Sequence, residues 1–181
     1  MARPPTPLRA QILESALGLF AARGFRGTSL QDIASEVGCS KASLLYHFTS
    51  KDAILSELLT PAGQALAELD ERLSTLDPDE AVMAAVTGFI DLSVRFKREV
   101  KILFGEVLTL TGHLGLPLPE VTERLLDALT GNATAPRARV AAWMVIGGVF
   151  MTSATAVSVT DDVLRAEMVR GALRTLDHRT D

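Results

Sequence analysis

Residues 40 to 48, Ser40-Lys41-Ala42-Ser43-Leu44-Leu45-Tyr46-His47-Phe48, read as a short capped helix with one apolar edge and one polar edge. At ~100° per residue, Leu44 and Phe48 fall on one side, Ala42, Ser43 and Tyr46 on the other, and Leu45 and His47 flank the apolar edge. Ser40 suits the N-cap, where its hydroxyl accepts from an amide of the first turn. A helix that enters a DNA groove needs short or flexible residues at its amino end, which Lys41, Ala42 and Ser43 supply, and its free amides attract phosphate. Taken alone, the nonamer reads equally well as a short amphipathic core helix. Just upstream, Thr28-Ser29-Leu30-Gln31-Asp32-Ile33-Ala34-Ser35-Glu36-Val37-Gly38-Cys39 carries a second short helical pattern ended by a glycine, and the pair spells helix-turn-helix.

The flanks support that reading. Thr6-Pro7 suits an N-cap followed by proline at the first helical position, and Leu8, Ile12, Ala16, Leu19 and Phe20 recur at helical spacing up to Arg23-Gly24. Gly24 is expected to take a left-handed stop. Ser29 with Asp32 resembles a capping box opening the second helix, with Leu30, Ile33, Ala34 and Val37 facing inward. Ser50 caps a fourth helix through Lys51, Asp52, Leu55, Leu58 and Leu59. The expectation is a compact three-helix DNA-binding head followed by a connecting helix.

With those residues in place, the chain resembles the TetR family of bacterial transcriptional regulators. The resemblance is carried by Ala16, Phe20, Gly24, Phe25, Gly27-Thr28-Ser29, Ile33-Ala34, Gly38, Ser40-Lys41, Ser43-Leu44, Tyr46-His47-Phe48 and Ser50-Lys51, in register over the first third of the chain. It implies that Gln31, Lys41, Ala42 and Ser43 face bases, while Thr28, Tyr46, His47 and Lys51 hold the DNA backbone. Bland alternatives stand beside these roles: Thr28 as a turn residue, Tyr46 as a packing aromatic, Lys51 as a solvated first-turn lysine. Leu45 departs from the family, which often places a phosphate-binding tyrosine there.

Charge divides along the chain. Residues 1–51 hold six basic side chains (Arg3, Arg9, Arg23, Arg26, Lys41, Lys51) against Glu14, Asp32 and Glu36, a net +3, while the whole chain is −4. The remainder therefore carries −7, as suits a protein that meets DNA by one surface. Arg3 and Arg9, among Pro4, Pro5 and Pro7, suit either an extended arm toward the duplex or a disordered N-terminus. A hydrophobic share of 48% and mean hydropathy of +0.24 suggest that some apolar surface closes against a partner. The single cysteine, Cys39, excludes an internal disulfide and reads as a packed thiol, with redox sensing as the alternative. Glu14 interrupts the apolar run behind Arg9, so no signal peptide is expected and the expected compartment is the cytoplasm.

At 181 residues the chain has room for two small domains, expected as a helix-turn-helix domain at 1–50 and an effector-binding and dimerisation domain at 51–181. Beyond the head the pattern is helical throughout, so the fold class is all-α, a three-helix N-terminal head plus a helical C-terminal domain. Helices are expected near 66–73, 81–96, 100–110, 120–129, 137–159 and 162–176, with breaks at Asp77-Pro78, 112–119 and 131–136. Thr60-Pro61 interrupts the connecting helix, so the helix either kinks there or is capped afresh by Thr60. Val140 to Thr160 holds no charge and is long enough to span a bilayer. Its threonines, serines and paired glycines read instead as a helix buried on nearly all sides, with Gly147, Gly148, Ala154 and Ala156 permitting close approach of another helix. No membrane contact is expected.

By the same resemblance, helices near 137–159 and 162–176 pair with those of a second subunit, giving a homodimer on double-stranded, near-palindromic operator DNA. The body would hold a small apolar or amphipathic effector, lined by Phe89, Phe96, Leu103, Phe104, Leu108, Trp143, Met144 and Phe150, with His113 at a gate. Effector binding would move the connecting helix, with Pro61 as hinge. For each lining residue ordinary core is the competing reading. His47, His113 and His178 lack metal-ligand partners, and no phosphate loop, nucleophile elbow or zinc pattern occurs, so no enzyme, metal or cofactor is expected. An architectural DNA-binding protein with a filled body is the alternative function.

Overall fold

The computed structural model describes residues 7–110, 118–155 and 157–177, with the backbone alone for 105–110. Its helices are α1 (Leu8–Arg23), α2 (Leu30–Val37), α3 (Lys41–His47), α4 (Lys51–Leu73), α5 (Pro78–Arg95), α6 (Lys97–Leu110), α7 (Leu118–Leu129), α8 (Pro136–Ala154) and α9 (Asp161–Thr175). No strand occurs among the described residues, so the class is all-α.

Helices as short as α2 and α3 do not persist alone in water. Caps and burial hold them here. Ser29 Oγ accepts from Asp32 N at 3.1 Å while Asp32 Oδ2 accepts from Ser29 N at 2.8 Å, a complete capping box. Hydrogen bonds from the Ser29 hydroxyl and then the Ser29 amide hold the Asp32 carboxyl below its ordinary range. Ser40 Oγ accepts from Ser43 N and Ser50 Oγ from Ala53 N, each at 3.0 Å. Each serine cap contributes about 0.5–2 kcal/mol. Gly38 ends α2 in the left-handed region (φ 78°, ψ 28°), where a side chain would be strained, and so turns the chain tightly into α3.

Ile12, Ala16, Phe20, Ile33, Leu44 and Phe48 close the head core, which runs on through Ile54, Leu55 and Leu59 of α4 and Ile102 and Leu103 of α6. Cys39 packs half-buried against it. A second core joins Leu69 and Leu73 of α4 to Val86 and Ile90 of α5, Leu126 and Leu129 of α7, and Ala142 and Val145 of α8. Helix α6 touches both α1 and α8 and so links the two. Arg98 of α6 donates to Glu14 of α1 at 2.8 Å.

Several expectations are corrected. Pro7 precedes α1 as its cap residue, with an extended ψ of 139°, and its carbonyl accepts from Ala10 and Gln11; Thr6 lies outside the described residues. Gly24 has a positive φ of 77° but an extended ψ of 161°, so it ends α1 without the left-handed turn. Arg9 belongs to α1 rather than to an arm; it pairs with Glu57 and stacks 4.9 Å from the centroid of Phe48. Helix α4 runs unbroken through Pro61, so Thr60 caps nothing; its hydroxyl donates back to Ser56 O at 2.7 Å.

The expected helix 137–159 stops at Ala154. At Thr155 (ψ 140°) the chain leaves the helix, and the described residues 157–160 follow a bent path, the Val159 amide donating to Val157 O at 2.9 Å; the β-branched Val157, Val159 and Thr160 disfavour a helix there. Nor is α8 buried on nearly all sides: Val140, Trp143, Met144 and Met151 are exposed. Ala154 is buried, and Ala156 lies outside the described residues. No helix among the described residues is long and apolar enough to cross a membrane.

Candidate nucleic-acid interface and apolar cavity

Leu44 and Phe48 pin α3 to the head core and thereby present its opposite edge to solvent. Lys41, Ala42 and Tyr46 are exposed on that edge, and Ser43 and His47 are half-exposed. Tyr46 is 86% exposed, its ring meeting only the edge of His47 at 5.3 Å between centroids. A tyrosine presented this far from any packing partner is placed for an external contact rather than for core packing. Gln31 is exposed on α2, its amide 3.4 Å from Ser35 Oγ. Leu45, 40% exposed, adds an apolar side chain to the same surface.

Two expected backbone contacts are engaged elsewhere. Thr28 is 1% exposed, and its hydroxyl donates to Gly24 O at 3.0 Å, with Leu19 O at 3.4 Å. It locks the turn between α1 and α2 and does not reach the surface. Lys51 Nζ donates to Phe25 O at 2.7 Å and Thr28 O at 2.8 Å and lies 4.3 Å from the Phe25 ring centroid. It staples that turn to the start of α4. The turn is cramped: a Cβ on Gly27 would sit 2.3 Å from Arg23 O. These partners lie more than twenty residues from Lys51 in sequence, so no local pattern reveals them.

A cavity of about 470 Å³ lies where α4, α5, α6, α7 and α8 meet. Phe89, Phe96, Leu103, Trp143 and Phe150 line it as expected. Phe104 does not; it is exposed and rests on Phe150 at 5.9 Å between ring centroids. Met144 is corrected too, since it lies 64% exposed beside the groove between α8 and α9, a quarter-turn from the cavity wall. The Leu108 side chain and His113 lie outside the described residues. Selection by size and aromaticity missed Glu99, Val100, Ser93 and Leu125. For α6 the signal was available: 96, 99, 100 and 103 share one face at helical spacing. Burial pushes the Glu99 carboxyl above its ordinary range, the hydrogen bond from its own backbone amide and then the attraction of Arg98 offsetting only part of the lost hydration.

A second concavity, about 420 Å³, runs between α8 and α9 along Met144, Gly148, Val157, Val163 and Gly171. A Cβ on Gly148 or Gly171 would meet nothing within 4 Å, so the backbone is bare along this apolar face.

Comparison with known proteins bears on both surfaces. A sequence pattern described as "Bacterial regulatory proteins, tetR family" matches residues 12–58. The HTH-type transcriptional regulator RutR of Escherichia coli (strain K12) is 32% identical over 178 residues, covering 89% of this chain and 77% of RutR. The crystal structure of a TetR-family transcriptional regulator from Bordetella parapertussis 12822 superposes with a TM-score of 0.72 at 22% identity, over 98% of this chain and all of that one. AibR, solved in complex with isovaleryl coenzyme A and operator DNA, superposes with a TM-score of 0.64 at 25% identity, over 90% of this chain and 96% of its own.

Proposed function

This chain belongs to the TetR family of bacterial transcriptional regulators, and from that premise we propose that it is a repressor that binds a near-palindromic operator as a homodimer and is released by a small effector. The observation that carries this reading is the outer edge of α3, where Lys41, Ala42, Ser43, Tyr46 and His47 stand clear of a helix anchored by Leu44 and Phe48. Lys41 and Ser43, with Gln31, read base edges; Tyr46 and His47 hold phosphates. The functional division runs at Ser50/Lys51, with α4 as the connection between a DNA-binding 1–50 and an effector-binding and dimerising 51–181. The protein performs no catalysis.

The bare apolar face of α8 and α9 supports the dimer, because a contiguous apolar patch of this kind invites burial against a second copy. Two heads about one DNA turn apart then read the two half-sites. The cavity supports an effector with an apolar body and weighs against an architectural protein with a filled body. Helix α6 offers a path from cavity to head: Leu103 lines the cavity and joins the head core, and Arg98 grips Glu14. A shift of α6 would therefore tilt α1 and, through α4, change the spacing of the two α3 helices.

The test is a gel shift with DNA flanking the protein's own coding region, against random duplex as competitor. A preferred palindromic site is expected. Equal binding to random duplex would overturn the regulator reading.

A further inference from the structure

Glu99 is the one ionisable side chain among the described residues that line the cavity. It sits in the first turn of α6 on the face that also carries Val100 and Leu103, next to Phe96 at the end of α5. The backbone amide of Glu99 itself donates to the carboxylate, and no ion pair or hydrogen bond from another side chain reaches it among the described residues. The adjacent Arg98 is committed to Glu14 at 2.8 Å. The remaining walls are apolar apart from Ser93 and Thr122. A carboxylate in such surroundings has lost hydration without gaining a counter-charge, and its raised pKa has that cause.

We propose that this cavity selects an amphipathic cation, with an alkyl or aryl body against Phe89, Phe96 and Phe150 and a protonated amine seated at the Glu99 carboxylate. The inference rests on the reading of the cavity as the effector site. A cationic head gives Glu99 a counter-charge, and because Glu99 is only half-buried the ammonium keeps part of its hydration while gaining a charge-assisted hydrogen bond. A neutral ligand leaves the carboxylate unpaired, and an anionic one requires Glu99 to bind a proton first.

The full-length protein is titrated near neutral pH with octylammonium, octan-1-ol and octanoate, which share a chain and differ in the head. Trp143, the only tryptophan in the chain and a wall of the cavity, reports binding by its fluorescence. Octylammonium is expected to bind about tenfold or more tighter than octan-1-ol. Glu99→Gln should erase that preference and leave the affinity for octan-1-ol within about twofold, with an unchanged melting curve as the check on folding. Equal affinity for amine and alcohol, a preference for octanoate, or a preference for the amine that survives Glu99→Gln overturns the proposal while leaving an apolar effector site standing. Silence of Trp143 toward all three, with no heat in calorimetry, overturns the effector-site reading itself and this inference with it.

Discussion

Replacing Lys51 by methionine separates two roles that sequence alone leaves entangled, because methionine keeps the apolar stem and removes the charge and all three donors. The Nζ group donates to the carbonyls of Phe25 and Thr28 at 2.7 and 2.8 Å and caps the Phe25 ring. Hydrogen bonds from a charged donor contribute about 1.5–3 kcal/mol each and a cation over an aromatic face about 0.5–1 kcal/mol. The site is only part-buried, so water recovers a share of both carbonyls, and a net loss of about 2–3 kcal/mol is expected. For a chain of this size that lowers the melting temperature by about 5–10 °C, read by circular dichroism at fixed protein concentration. DNA affinity below the transition should show an unchanged salt slope, since a side chain committed to the turn releases no counterion. If Lys51 instead gripped a phosphate in each of two subunits, the slope of log K against log salt would fall by about 2. A melting temperature unchanged within a degree together with that shallower slope would refute the staple.

Further outcomes are expected from the same structure. Tyr46→Phe should weaken operator and random DNA alike by about tenfold at most, with stability unchanged, if its hydroxyl holds a phosphate; a change confined to the operator would make it a base reader instead. Asp32 has a depressed folded-state pKa, so its contribution is present above the ordinary value of 3.8 and is lost as pH falls below it. Melting curves of the protein and its Asp32→Asn variant should therefore differ near neutral pH and converge in acid; a constant gap would show that the capping box is not the cause. Gly148→Arg, whose Cβ meets nothing within 4 Å in the single chain, should leave a folded monomer by light scattering with weakened operator binding, whereas a persisting dimer would move the interface off α8 and α9. Pro61→Ala should stiffen α4 and blunt effector-induced DNA release, and unaltered release would make Pro61 merely structural.

Local rules made the head legible. Capping serines, Gly38 and the spacing of Ile33, Ala34, Leu44 and Phe48 act within a turn or two of chain, so the expected α2 and α3 match the observed helices. Less legible were positions whose partners the fold supplies. Thr28 and Lys51 read as phosphate ligands by pattern, and the fold gives Thr28 the carbonyls of Leu19 and Gly24 and Lys51 those of Phe25 and Thr28. Met144 and Trp143 are neighbours in an apolar run, yet the helix turns one to the α8–α9 groove and the other to the cavity. The charge-free stretch hid its own break, because hydropathy does not distinguish a bent, β-branched connection from helix at Val157 to Thr160.

That the chain is all-α and carries a helix-turn-helix head could be read from neighbouring residues alone, since caps, glycine stops and a 3.6-residue period act over a turn or two. Packing sets which side chains of that head remain outside, which walls enclose the cavity, and that Glu99 stands among them without a counter-charge. Those depend on contacts between residues tens of positions apart, and the packing of α6 against both α1 and α8 brings them together.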